Sequence, residues 1–82
     1  MAILTITYQG TSAEYPREIG DHIGDSDIKR IAIEVIRSGE VPGLRIIDLG
    51  DSAFVHFVVD RFITPEGGTR LYLRPKVPFG VS

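Results

Sequence analysis

The sequence contains no cysteine, and this absence narrows the class of protein. Without thiols the chain can form neither a disulfide framework nor a thiolate metal site. Its stability must come from a packed core, as is usual for proteins of a reducing compartment, and we expect a cytoplasmic location. No apolar run approaches the roughly 18 residues of a membrane-spanning helix, and residues 1–8 lack the features of a signal peptide. We therefore expect no membrane association.

The chain also lacks a surplus of positive charge, since its 9 Lys and Arg face 11 Asp and Glu and give a net charge of −2. Proteins that bind nucleic acid usually carry a basic patch. Basic residues do alternate with an aromatic one at Arg70, Tyr72, Arg74 and Lys76, a pattern that can bind single strands. Cations on a strand more often prevent unwanted pairing of its edge. We expect no nucleic-acid partner.

No catalytic motif is present. There is no nucleophile elbow around a serine, and there is no cysteine nucleophile. The two histidines, His22 and His56, do not fall in a metal-ligand spacing. The loop of residues 20–24 precedes a helix but lacks the lysine and spaced glycines of a phosphate-binding loop, and its aspartates would repel phosphate. We expect a non-catalytic protein without cofactor or metal.

The composition is that of a globular protein, with 43% hydrophobic and 24% charged residues in a chain of 82. A chain of this size forms one domain and buries only about 60–65% of its extended surface. We therefore expect residues 1–82 to be a single domain. Pro75 and Pro78 limit strand pairing near the end, so we expect residues 78–82 to be a flexible tail.

One helix is strongly indicated over residues 26–39. Asp25 or Ser26 can act as its N-cap, and Gly39 is a suitable stop in the left-handed conformation. Five apolar residues fall at helical spacing and form one stripe: Ile28, Ile31, Ala32, Val35 and Ile36. Among them we expect Ile31 and Val35 to be buried most deeply.

The rest of the chain has the alternation of strands. The pattern predicts strands over residues 2–9, 12–19, 44–49, 53–63 and 69–77. Pro16 cannot donate a ladder hydrogen bond, so the second strand should be an edge or be irregular at its middle. The strand over residues 53–63 is apolar on both faces, which favours an interior position.

The resulting order is ββαβββ, with one helix that can cover only one face of a sheet. This order and its hydrophobic pattern resemble the ubiquitin-like β-grasp fold over nearly the whole chain. The resemblance implies an α+β fold, with the single helix packed on one face of a mixed sheet. It also implies a small protein that acts by binding other proteins.

The C-terminus differs from that of conjugated ubiquitin-like proteins, which end in two glycines. This chain ends in Phe79, Gly80, Val81 and Ser82, and its adjacent Gly67 and Gly68 fall in a predicted hairpin. Gly80 is the possible tail glycine, and conjugation through it would require removal of the two residues that follow. We expect a binding module without conjugation.

The turn at residues 64–68 assigns the faces of the sheet. A three-residue loop of Glu66, Gly67 and Gly68 would pair Ile63 with Leu71 and direct both toward the helix. Asp60 would then lie opposite Arg74, and Phe62 opposite Tyr72. The opposite face would carry Phe54, His56, Val58, Asp60, Phe62, Tyr72, Arg74 and Lys76.

An uncovered sheet face with large apolar residues and a charged rim is typical of a protein-binding surface. The predicted partner-binding residues are Phe54, His56, Val58, Phe62, Tyr72, Arg74 and Lys76. Residues 12–19, the loop after them or the tail could instead cover this face. A second hypothesis is a small phage- or plasmid-type accessory or inhibitor protein that acts as an edge-paired homodimer. The chain is thus expected to be a monomer or a homodimer with a protein partner.

Overall fold

The structure, a computed structural model, describes residues 2–20 and 22–76. The elements in chain order are β1 (Ala2–Tyr8), β2 (Thr11–Ile19), α1 (Asp25–Arg37), β3 (Phe57–Ile63) and β4 (Thr69–Pro75). The four strands form one sheet in the order β2-β1-β4-β3. The central pair β1 and β4 is parallel, and the two outer pairs are antiparallel. This confirms an α+β fold with a single helix and a mixed sheet, and it is compatible with a β-grasp.

The core lies between α1 and one face of the sheet. Alternate residues of the two central strands are fully buried there, as the period of two requires. They form one cluster with one side of the helix: Ala2, Leu4, Ile6, Leu71, Leu73, Ile28, Ala32 and Ile36.

The predicted helix is present, although its stripe and its N-cap differ in detail. Ile31 is only partly buried, and Val35 is buried but less deeply than Ile28, so the prediction that Ile31 and Val35 lie deepest is wrong. Ile33 belongs to the buried cluster and, together with Val55 of the segment before β3, lines a cleft beside the helix. Gly24 is the N-cap and no side chain caps the helix, whereas Gly39 has the expected positive φ of 78°.

The segment between α1 and β3 is a series of turns, and the predicted strand over residues 44–49 is absent. The Leu44 N–H donates to the Val41 oxygen at 3.1 Å, and the Leu49 N–H donates to the Ile46 oxygen at 3.4 Å. Its buried residues are Val41, Leu44, Leu49 and Phe54, whose spacing does not alternate. The segment thus contributes side chains to the core without joining the sheet. The short apolar run was mistaken for a strand because burial alone does not distinguish the two.

The prediction for the position of β3 in the sheet is wrong, whereas the prediction for β2 is confirmed. β3 begins at Phe57 rather than at residue 53, and it is an edge strand rather than an interior one. β2 is the other edge, as Pro16 indicated. Its pairing with β1 shifts between Ile3, opposite Glu18, and Thr5, opposite Glu14. The irregularity therefore surrounds the proline, which supplies no N–H to the ladder.

The hairpin between β3 and β4 has a three-residue loop as predicted, but the loop begins one residue earlier, at Pro65. Ile63 lies opposite Thr69 and Val59 lies opposite Leu73, which differs from the predicted pairing by two residues. The Thr64 N–H donates to the Gly68 oxygen at 2.8 Å, and Gly67 has φ +86°. Because side chains alternate with a period of two, a shift by two leaves every side chain on its predicted face.

Candidate functional site: the open face of the sheet

The face of the sheet opposite α1 is the candidate site. Among the residues that the structure describes, α1 is the only helix, and it packs on the other face. The open face carries alternate residues of three neighbouring strands, which the register places side by side: Ile3, Thr5, Thr7, Val58, Asp60, Phe62, Arg70, Tyr72 and Arg74. All are partly or largely exposed. We call this surface the open face.

Two aromatic rings lie at its centre. The ring centroids of Phe62 and Tyr72 are 5.5 Å apart, and the ring planes meet at 72°. This is the edge-to-face arrangement that aromatic pairs prefer. The contact is diagonal, because the register places Tyr72 opposite Asp60 and Phe62 opposite Arg70. Phe62 is nevertheless 55% exposed, so the pair does not shield itself from water.

Ion pairs lie on either side of the rings. Arg74 donates through Nε to the Asp60 carboxylate, which is also a diagonal contact between β4 and β3. Arg70 donates to Glu14 of β2 at 3.4 Å. Both arginines belong to the alternating basic pattern that could have indicated nucleic-acid binding. Since each guanidinium already has a carboxylate beside it, each attracts phosphate less than a free cation would.

A shallow depression of about 410 Å³ lies over this part of the face. The two rings, the Asp60–Arg74 pair and Thr7 line it. The Thr7 hydroxyl is 2.8 Å from the Ser12 hydroxyl, which links the depression to the edge strand β2. An apolar centre with polar groups at its border is the usual arrangement of a protein interface.

The seven predicted partner-binding residues divide into three groups: those on the open face, those exposed outside the strands, and one that is buried. Four lie on the open face as expected: Val58, Phe62, Tyr72 and Arg74. His56 and Lys76 are exposed but lie outside the strands, one before β3 and the other after β4.

The placement of Phe54 on the open face is wrong. Its side chain is 1% exposed, and its ring centroid is 5.6 Å from that of Tyr8 and 4.8 Å from that of Phe57. Phe54 was assigned to the open face by extending the alternation of β3 back to residue 53. The chain turns at that point, with the Phe57 N–H donating to the Phe54 oxygen at 3.0 Å, so the alternation does not apply.

Residues of β1 also belong to the open face, although sequence analysis did not place them there. Thr5 lies opposite Tyr72, and Ile3 lies opposite Arg70. The alternation of β1 did indicate that Ile3, Thr5 and Thr7 share one face. Which face that is depends on the parallel pairing of β1 with β4, and no local signal in the sequence gives it.

A cleft of about 490 Å³ on the other side of the molecule is lined by α1 and the segment before β3. Its walls include Lys29, Glu34 and Val55, and the Arg37 guanidinium donates to Asp51 at 2.8 Å across one end. Arg37 also donates to the Leu49 oxygen at 2.6 Å, so its role is to attach the turn segment to the helix.

Within residues 2–20 and 22–76 no group of three or more metal-ligating side chains is present. The same residues include no helix long and apolar enough to cross a membrane. Gly80 and the predicted tail over residues 78–82 lie outside the described residues. Comparison of the chain with protein-family models, with curated proteins and with solved structures found no match.

Proposed function

We propose that this chain is a small, non-catalytic protein–protein interaction module that binds a partner protein through the open face. The observation that supports this most is the pair of Phe62 and Tyr72 on a sheet face over which no helix lies in the described part of the chain. Burial of two aromatic side chains is a large favourable contribution to binding, and aromatic residues dominate the energetic centres of interfaces.

The charged border supports a protein partner more than a small ligand. The depression is shallow and open, whereas small-molecule sites are usually deep enough to enclose most of the ligand. The Asp60–Arg74 and Arg70–Glu14 pairs give the face both signs of charge. Such a border restricts the orientation of a partner more than it adds affinity.

The likeness to ubiquitin-like proteins belongs to this proposal. The ββαββ order and the parallel central strands are compatible with it, and proteins of that kind act by binding other proteins. Binding through the open face requires no conjugation, so the proposal does not depend on Gly80. A cytoplasmic location is part of the same proposal and rests on the lack of cysteine.

The proposal can be tested by comparing capture of proteins from the native host by three baits. The baits are the unchanged protein, Tyr72→Ala and the control variant Ile47→Ala. Ile47 is 72% exposed in the turn segment and lies outside the sheet. We expect the unchanged protein and Ile47→Ala to retain the same partner, and Tyr72→Ala to lose it.

The captured partner is then purified and titrated against each bait. We expect Tyr72→Ala to bind at least about tenfold more weakly, which is a loss of roughly 1.4 kcal/mol. Equal affinity of all three baits would contradict the proposal. Unfolding curves of the same samples show whether Tyr72→Ala is folded, so that a loss of binding is not mistaken for a loss of structure.

The second hypothesis, an accessory or inhibitor protein acting as an edge-paired homodimer, is supported by a different feature of the structure. β3 has an edge without a neighbouring strand in the described part of the chain. The two proposals do not exclude each other, because pairing through an edge leaves most of the open face free.

A further inference from the structure

The two edges of the sheet differ in how they resist pairing with another strand. β2 contains Pro16 and an irregular register, both of which disfavour further pairing. β3 pairs with β4 without a register shift and contains no proline. It also ends in two exposed apolar residues on opposite faces, Phe62 at 55% and Ile63 at 83% exposure. Within residues 2–20 and 22–76, β3 is therefore the edge that is open to another strand.

The hairpin geometry identifies the backbone groups that β3 presents outward. The Thr64 N–H donates to the Gly68 oxygen, so these residues form a hydrogen-bonded pair. In an antiparallel ladder such pairs alternate, which directs the backbone of residues 58, 60 and 62 toward β4. The backbone groups of Val59, Arg61 and Ile63 consequently point away from the sheet. Among the described residues no other segment hydrogen-bonds to them.

We propose that two copies of this chain pair antiparallel through β3, with the two Phe62 residues facing each other at the centre. The outward backbone groups allow only a few two-fold registers. A pair centred on Asp60 would oppose two carboxylates, and a pair centred on Arg61 would oppose two guanidinium groups. Like charges directly opposite each other destabilise a strand pair. These two registers are therefore disfavoured.

A pair centred on Val59 is disfavoured for a different reason. It would place Phe62 and Ile63 opposite residues 55 and 56 of the second copy, which belong to a turn and not to the strand. The apolar residues would then have no extended backbone to pack on. The register centred on Phe62 avoids both problems.

In the Phe62-centred register, Arg61 of each copy lies opposite Ile63 of the other. These residues exchange hydrogen bonds through their outward backbone groups. The Arg61 side chain is already fixed, since it donates to Asp25 at 2.6 Å and to the Ile23 oxygen at 2.8 Å. Its methylene groups can therefore cover the exposed Ile63 of the second copy at little entropic cost.

The pairing creates a continuous eight-stranded sheet from two four-stranded ones. Residues opposite each other in a ladder share a face, so the two open faces would lie on the same side of the dimer. A partner with two binding sites could then bind with increased avidity. This inference rests on the second hypothesis, the edge-paired homodimer, and does not depend on partner binding through the open face.

The oligomeric state tests the pairing. Sedimentation over a range of concentrations compares the unchanged protein, Ile63→Lys and the control Ile47→Lys. Ile63→Lys places a cation opposite Arg61 of the second copy, so we expect its dimer to be at least tenfold weaker. Ile47→Lys changes a residue outside β3 that is also largely exposed, at 72% against 83% for Ile63, and should dimerise like the unchanged protein.

A monomer at all concentrations up to about 1 mM, where even weak pairs assemble, would overturn the proposal. Equal dimerisation of all three proteins would also overturn it. The dimer proposal and the open-face proposal can fail independently. If the protein is a monomer but Tyr72→Ala still loses the captured partner, only the dimer proposal is contradicted.

The register is tested by cysteine cross-linking, for which the cysteine-free chain is well suited. Phe62→Cys, Asp60→Cys and Arg61→Cys each introduce one thiol at the centre of a different two-fold register. We expect Phe62→Cys to form the intermolecular disulfide at least tenfold faster than the other two, because only that pair meets the distance requirement. Faster cross-linking at residue 60 or 61 would overturn the proposed register.

Discussion

The two faces of the sheet use the same strands for different purposes. In β4, Leu71 and Leu73 are fully buried under the helix, whereas Tyr72 and Arg74 between them remain partly exposed on the open face. We call the face under the helix, which includes Leu71 and Leu73, the covered face. Its side chains make the folded state stable through burial. Side chains on the open face are held in position by the same backbone and, apart from the more exposed Phe62, are partly buried rather than fully buried. Changes on the two faces should therefore have separable effects on stability and on binding.

The largest expected effect comes from Phe54, which links the covered face to the turn segment. Its ring packs against Tyr8 and Phe57 and is almost fully buried. Phe54→Ala should lower the free energy of unfolding by about 3–5 kcal/mol, a large part of the total for a domain of this size. Urea unfolding followed by circular dichroism measures it. A loss below about 1 kcal/mol would place Phe54 outside the core.

Two positions on α1 provide a matched comparison within the covered face. Ile28 is fully buried and Ile31 is only partly buried, and both substitutions remove the same atoms. Ile28→Ala should lower the free energy of unfolding by about 2–5 kcal/mol, and Ile31→Ala by about half as much or less. Urea unfolding of the two variants in parallel gives the difference. A larger loss at Ile31 would mean that the helix packs on the sheet with a different side.

The next largest loss of stability is expected at the turn between β3 and β4, because this turn sets the register that assigns side chains to the two faces. Gly67 has φ +86°, a conformation that a β-branched residue adopts only with strain. Gly67→Val should lower the free energy of unfolding by about 1–2 kcal/mol, while Gly68→Val, without a positive φ, should lower it less. Thermal unfolding distinguishes the two. Equal tolerance at both glycines would contradict the described turn.

Much of the covered face could be predicted from the sequence because its signals are local. The helical spacing of Ile28, Ala32, Val35 and Ile36 identified four of the five buried residues of the helix. The left-handed conformation predicted for Gly39 at the end of the helix is also confirmed, since its φ is +78°. The assignment of β3 and β4 residues to faces is confirmed although the register was wrong, because an error of two residues preserves the alternation.

The features that sequence analysis missed depend on contacts between distant segments. The burial of Phe54 follows from the turn segment folding against the end of the sheet, where its ring packs against Tyr8 and Phe57. The edge position of β3 follows from the parallel pairing of β1 with β4, which no local pattern encodes. An apolar run such as that of β3 is compatible with either a central strand or an exposed edge. For the same reason Thr5 was not assigned to the open face.

The smallest expected effect on stability belongs to the open face. Phe62→Ala removes a ring that is more than half exposed, so its effect on the free energy of unfolding should be below about 1 kcal/mol. Phe54→Ala also removes a phenylalanine ring, but from the buried side of the sheet. Comparing the free energies of unfolding of the two variants therefore measures the difference between the two faces. A large loss of stability at Phe62 would mean that the open face is part of the core.

The most direct test of the proposed function measures affinity and stability on the same samples. The captured partner is titrated against the unchanged protein and Tyr72→Ala, and the free energy of unfolding of both is determined. We predict at least about tenfold weaker binding of Tyr72→Ala, with a loss of stability well below the roughly 3–5 kcal/mol expected of Phe54→Ala. Unchanged affinity of a correctly folded Tyr72→Ala would contradict binding through the open face.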